Sequence, residues 1–154
     1  MAYKMIFDRT QSDAEEARKI RSKLQSGYTI SDEEIALLDK GTLNIDTLNR
    51  IENKQTELYN LFIQYGYFCQ AIQNKTWEYG DFFEALDFSR IIENNEKLRS
   101  AFFDFVNSPK KPKEEYNFSN INDIEKLLYD LDVNYQYMVS NIRECGTFES
   151  GDNT

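Results

Sequence analysis

The sequence contains no histidine. That removes the commonest general base, along with the Ser–His and Cys–His nucleophile pairs. It also removes ordinary catalytic zinc sites, which lean on imidazole. Cysteine is almost as scarce. Cys69 and Cys145 are too few for a disulfide framework, and a reducing compartment is the simplest setting. The six glycines are scattered, with no phosphate-cradling GxGxxG or Walker spacing. Long apolar runs are absent too. No stretch approaches the eighteen residues that a membrane helix needs, and the apolar run from Met1 to Phe7 is too short for a signal segment with its flanks. The expectation is a protein made in a cytoplasm, with no membrane and no cofactor.

Positive charge is in deficit. Eighteen Lys and Arg face 27 Asp and Glu, for a net charge of -9. Such a surface repels a phosphate backbone on average, so no nucleic-acid partner is expected unless a local basic patch exists. The densest basic stretch, Lys110-Lys111-Pro112-Lys113, is followed at once by Glu114 and Glu115 and reads as a solvated loop. The acidic runs Asp13-Glu15-Glu16 and Asp32-Glu33-Glu34 read as solvated faces. What is plentiful is aromatic: ten Tyr and eleven Phe among 154 residues. Aromatics serve cores and interfaces equally, and composition does not separate the two uses.

Helix signals dominate the chain. The first segment runs from about Ser12 to Gln25, with Ser12 and Glu15 at capping-box spacing and Gly27 as its stop. The second, Ser31 to Lys40, opens with Ser31 and Glu34 at the same spacing and ends at Gly41. The third runs from about Asp46 to Tyr65, with a stripe of Leu48, Ile51, Gln55, Leu58, Phe62 and Tyr65. Tyr67 to Gly80 is irregular, with Trp77 and Tyr79 near a turn. A fourth helix is expected over Phe88 to Val106, on a stripe of Phe88, Ile91, Asn95, Leu98, Phe102 and Phe105. Ser108 to Ser119 holds both prolines and connects to a last helix, Ile121 to Ile142, about 33 Å long. Its stripe is Ile121, Ile124, Leu128, Leu131, Tyr135, Met138 and Ile142.

The amides Gln55 and Asn95 interrupt two of these stripes. They are either buried register-fixing groups or stripe-edge residues in contact with water, and the expectation is the second. Cys69, among Tyr67, Phe68 and Ile72, reads as a small buried hydrophobe rather than a reactive thiol. Asp130, Asp132 and Asn134 imitate the first, third and fifth places of a calcium loop. Tyr135 stands where that loop needs Gly and Asn141 where it needs Glu, so the metal reading fails. No strand is clear, although Tyr3 to Phe7 and Gly146 to Ser150 are weak candidates.

The expected fold is therefore all-α, a bundle of four or five helices whose three longest stripes form the core. Residues 1–142 make the helical domain, and 143–154 a C-terminal tail or extended arm. Ile51, Leu58, Phe62, Leu98, Phe102, Leu128 and Leu131 are expected to be buried together. The tail carries Cys145 directly before a glycine and Phe148 between two glycines. These are the candidate assembly contacts, through which the tail adds to a neighbouring subunit. No catalytic, cofactor or metal residue is assigned.

Several short elements resemble, in order, a family of structural or tail-associated proteins from phages and prophages of Firmicutes. They are the opening Asp8-Arg9-Thr10-Gln11-Ser12-Asp13-Ala14, then Ile45-Asp46-Thr47-Leu48-Asn49-Arg50-Ile51-Glu52, and the Trp-containing turn Lys75 to Asp81. After these come the helix Arg90 to Phe102, of form R-x-x-x-N-x-x-x-L-R-x-x-F, and Asn122-Asp123-Ile124-Glu125-Lys126-Leu127-Leu128. The end, Cys145 to Asp152, is a looser version of the family's aromatic tail, with Asp152 in place of Glu. The resemblance implies a virion component of the tail, baseplate or connector, working through assembly with other phage structural proteins or copies of itself. The alternative is a small phage-encoded binding protein that inhibits a host defence or regulatory protein, its acidic surface mimicking nucleic acid.

Overall fold

A computed structural model describes residues 4–102 and 107–145, with side chains to Ile142. It is all-α, as expected. The elements are α1 (Gln11–Gln25), α2 (Asp32–Gly41), α3 (Ile45–Gln64), α4 (Ala85–Ala101) and α5 (Phe118–Cys145), which together cover more than half of the chain. No strand occurs among the described residues, and Lys4 to Phe7 is neither helix nor strand. None of the described helices is long and apolar enough to cross a membrane. The helix α5 continues through Cys145, three residues beyond its expected end. The side chain of Cys145 and all of Phe148 lie outside the described residues.

The three long helices run parallel. Arg50, Lys54 and Phe62 on α3 meet Glu125, Asp132 and Tyr135 on α5, each partner further along both chains. On α4, Arg90, Asn95 and Phe102 meet Glu52, Gln55 and Phe62 of α3 in the same sense. Parallel neighbours need long returns, so the chain travels back between them in extended form. The first return follows α3 and reaches Glu84, and the second precedes α5. This explains why the irregular stretch after Gly66 and the proline-containing loop are both long.

The core is the meeting of three stripes. Ile51, Leu58, Phe62, Leu98, Phe102, Leu128 and Leu131 are all buried in one cluster, as expected. Trp77 and Cys69 join them from the first return. Phe62 sits at the centre, stacked on Phe102 at 5.1 Å and tilted against Tyr135 at 5.8 Å.

Helices α1 and α2 form an antiparallel hairpin outside this core. Lys23 pairs with Glu34 at 2.7 Å at one end, and Lys40 with Asp13 at 3.3 Å at the other. Gly41 does not stop α2, as its position suggested, but lies within its last turn. A Cβ there would stand 2.3 Å from the Asp13 carbonyl oxygen and 2.5 Å from the Ala17 Cβ, so only glycine lets the two helices close. The α1 cap also differs from expectation. Thr10 and Asp13 form the capping box, two residues before Ser12 and Glu15. A shorter Asp at the third position serves as Glu does, and the Thr10 hydroxyl bonded to it holds the Asp13 carboxyl below its ordinary range. The Ser31–Glu34 box stands as read.

Phe62→Ala should cost about 3–5 kcal/mol, because it removes a ring stacked in the centre of the core. Urea denaturation followed by circular dichroism measures it. A loss below about 1 kcal/mol would contradict the placement.

Candidate functional site

The charges that matter structurally are inside the molecule. Glu125 on α5 is fully buried. Its Oε1 accepts from Arg9 Nη2 at 2.9 Å and from Arg50 Nη2 at 2.7 Å, and its Oε2 accepts the backbone N–H of Ile6. Arg9 is itself buried and also donates Nε to the Lys40 carbonyl at 3.0 Å. One carboxylate therefore joins the N-terminal segment, the α2 end, α3 and α5.

Glu52 on α3 repeats the arrangement. It takes both forks of Arg90, Nη2 to Oε1 at 2.7 Å and Nη1 to Oε2 at 3.0 Å. Its Oε1 also accepts the Trp77 indole N–H at 3.0 Å, and its Oε2 the backbone N–H of Lys75. Glu52 raises the Arg90 guanidinium above its ordinary range by that bond. A planar fork on a carboxylate is among the stronger charge-assisted pairs.

Three asparagines do a related task. Asn49 accepts the Trp77 backbone N–H at 2.8 Å and returns its amide to the Trp77 carbonyl at 3.0 Å. Asn122 does the same for Arg9, at 3.2 and 2.8 Å. Asn94 does so for Gln73, at 3.4 and 2.8 Å. A carboxamide carries one acceptor and a donor side by side, so it matches the two backbone groups of one extended residue. The spacing recurs: Asn49-Arg50-Ile51-Glu52 on α3 and Asn122-Asp123-Ile124-Glu125 on α5. In each, Asn clamps one extended residue, and Glu one turn on takes a second backbone N–H of the same segment and an arginine. The isoleucine between them, Ile51 or Ile124, points into the core.

The amides Gln55 and Asn95 are not at a watery stripe edge, contrary to expectation. Both are buried. Gln55 Nε2 donates to Asn95 Oδ1 at 2.8 Å and to the Ile91 carbonyl at 2.9 Å, and Asn95 Nδ2 donates to the Ile124 carbonyl at 3.1 Å. They form a polar seam across α3, α4 and α5 that fixes the register of all three. Lys54 is buried as well, paired with Asp132 at 2.9 Å and Glu57 at 3.0 Å. Burial alone would push Lys54 down, but the two carboxylates outweigh it and hold its ammonium above the ordinary range. Two acidic members of the calcium-like string are thus engaged elsewhere, Asp132 with Lys54 and Asp130 with Lys126. Cys69 is buried as expected, and burial pushes its thiol up.

The sequence reading missed Arg9, Glu52, Lys54 and Glu125 as buried groups, and Arg50 and Arg90 as their half-buried partners. The available signal was that Glu52 and Glu125 each directly follow a core isoleucine. A cleft of about 650 Å³ lies between the N-terminal segment, the end of α2 and the start of α3. Charges of both signs line it, including Lys40, which pairs with Asp13, and Arg50, which pairs with Glu125. Among the described residues no group of three potential metal ligands converges. Compared with known proteins, the chain matches no protein family, no curated protein and no solved structure.

Glu125→Ala should cost about 3–5 kcal/mol, since it strands the buried Arg9 guanidinium. Lys113→Ala, in the exposed loop, should stay within about 0.5 kcal/mol. Paired denaturation curves compare them, and equal losses would contradict the network. The raised Lys54 contributes stability that is full below its unfolded value of about 10.4 and is lost as pH rises through its higher folded value. Lys54→Met should therefore flatten the alkaline limb of the melting profile. An unchanged alkaline limb would mean that the ion pairs do not stabilise the charged form.

Proposed function

We propose that this chain is a non-enzymatic virion structural protein of a bacteriophage, a component of the tail, baseplate or connector. It is made in the host cytoplasm and acts by assembling with other structural proteins or copies of itself. The reading begins from the ordered resemblance along the chain. The observation that carries it is the division of the polar and apolar groups. The buried carboxylates Glu52 and Glu125 have both oxygens engaged in holding the fold. Large apolar side chains, by contrast, are left in water along the first return, namely Phe68, Tyr79 and Phe82. A general acid or base needs a free oxygen facing a cleft. An assembly surface needs exposed aromatic anchors with a polar rim.

The competing reading is an intracellular inhibitor of a host protein, favoured by the net charge of -9. Quantitative mass spectrometry of purified particles separates the two. A virion component appears at a fixed copy number that matches a ring or other symmetric assembly. A chain abundant in the infected-cell lysate and absent from particles would overturn the virion reading.

A further inference from the structure

Most of the arginine side chains are bonded into the fold. Arg9 and Arg50 hold Glu125, Arg90 holds Glu52, and Arg99 donates to the Pro109 carbonyl. Arg18 and Arg21 are exceptions. Both are exposed on α1, and among the described residues neither guanidinium has a hydrogen-bond or ion-pair partner. They stand three residues apart, so they share a helix face, where like charges oppose each other. A chain of net charge -9 nonetheless leaves this pair without an acid.

Both arginines line a cleft of about 350 Å³ between α1, the link from α2 to α3, and the start of α5. Arg9, buried against Glu125, lines it as well, and among the described residues no Asp or Glu does. Two neutral side chains on it keep unused donors. Tyr116 accepts the Leu43 N–H at 3.0 Å, which leaves its own O–H to donate. Asn117 accepts the Asn120 N–H at 2.8 Å through Oδ1, which leaves its amide N–H groups to donate. Burial pushes the Tyr116 phenol up, while the Leu43 N–H and then the charges of Arg9 and Arg21 draw it down. Arg21 is therefore within electrostatic reach of Tyr116, across from α1. Ala14, Ala17, Leu43 and Ile121 supply apolar lining. The volume falls within the range of small-molecule sites, roughly 300–1,000 Å³.

We infer that this cleft binds a small phosphate monoester, with its phosphate held by Arg18 and Arg21 and its organic part on the apolar lining. Two unpaired positive charges match a dianion. A phosphate monoester carries a charge of about -1.5 to -2 near neutral pH, and its oxygens suit the guanidinium fork. A carboxylate brings only one charge. A nucleic-acid backbone fits poorly, because its further phosphates would meet Glu15, Glu16 and Glu115, which are exposed next in sequence to the lining residues. The inference goes beyond the virion reading and does not depend on it.

Titration of the full chain followed by backbone amide NMR tests the site, in a phosphate-free buffer near neutral pH. The probes are phenyl phosphate, benzoate and inorganic phosphate. Phenyl phosphate should shift the amides of Arg18, Arg21, Thr42 and Phe118 on one saturable curve, and should bind more tightly than the other two. Arg18→Gln and Arg21→Gln should each weaken it by about tenfold or more, the loss of one charge-assisted contact. Neither side chain is bonded into the fold, so the melting temperature without ligand should not fall. Lys111→Gln removes an equal charge from an exposed loop outside the cleft and should bind as wild type does. No saturation in the millimolar range overturns the site. So does unchanged binding in both arginine variants, or an equal loss in Lys111→Gln, which marks a general charge effect. Benzoate binding as tightly as phenyl phosphate overturns the dianion, and inorganic phosphate binding as tightly overturns the organic part.

Discussion

The fold depends on satisfying extended backbone that no sheet or helix serves. Three parallel helices require the chain to return twice, and the segments packed on them carry N–H and C=O groups into partly dry surroundings. A buried backbone group without a partner costs about 1–3 kcal/mol. The helices meet this demand with side chains. Asn49, Asn94 and Asn122 each take both backbone groups of one extended residue. Glu52 and Glu125 take the N–H groups of Lys75 and Ile6. Arg90 on Glu52 and Arg50 on Glu125 come from a third place in the chain, so each cluster also fixes how separate elements meet.

The seam of Gln55 and Asn95 follows from the same arrangement. Three stripes of Leu, Ile and Phe could slide past one another by a turn with little change in apolar contact. The amides penalise any slip, because Gln55 would lose Asn95 and Asn95 would lose the Ile124 carbonyl. A single buried polar group of this kind fixes register in other helical assemblies. Once helices and returns are so locked, the Tyr79–Leu86 stretch is carried on a rigid base, and its exposed side chains face outward in one fixed geometry.

Much of this architecture was legible in the sequence, for local reasons. Apolar steps of three and four located α3, α4 and α5, and the Ser31–Glu34 box marked the α2 start. The α1 start was placed two residues late because two overlapping boxes, Thr10–Asp13 and Ser12–Glu15, share one spacing. The start of α4 came earlier than expected, since Ala85 and Leu86 precede the stripe and Leu86 faces water. The buried charges were not legible. Glu52, Arg90 and Glu125 look like members of solvated faces until their partners, up to 119 residues away, are in place. The same holds for Gln55 and Asn95, whose burial is a property of the pair. The tail contacts Cys145 and Phe148 lie beyond the side chains that the structure describes.

The central claim is that helix side chains hold the extended segments as firmly as a sheet would. Native-state hydrogen exchange of individual backbone amides tests it most directly. Trp77, Lys75, Arg9 and Ile6 lie outside any helix or strand, yet each N–H is bonded to an Asn or Glu side chain. Their protection should approach that of mid-helix amides such as Leu58 and Leu128, with exchange governed by global unfolding. Exchange of these four amides at the rate of an unstructured peptide would contradict the account.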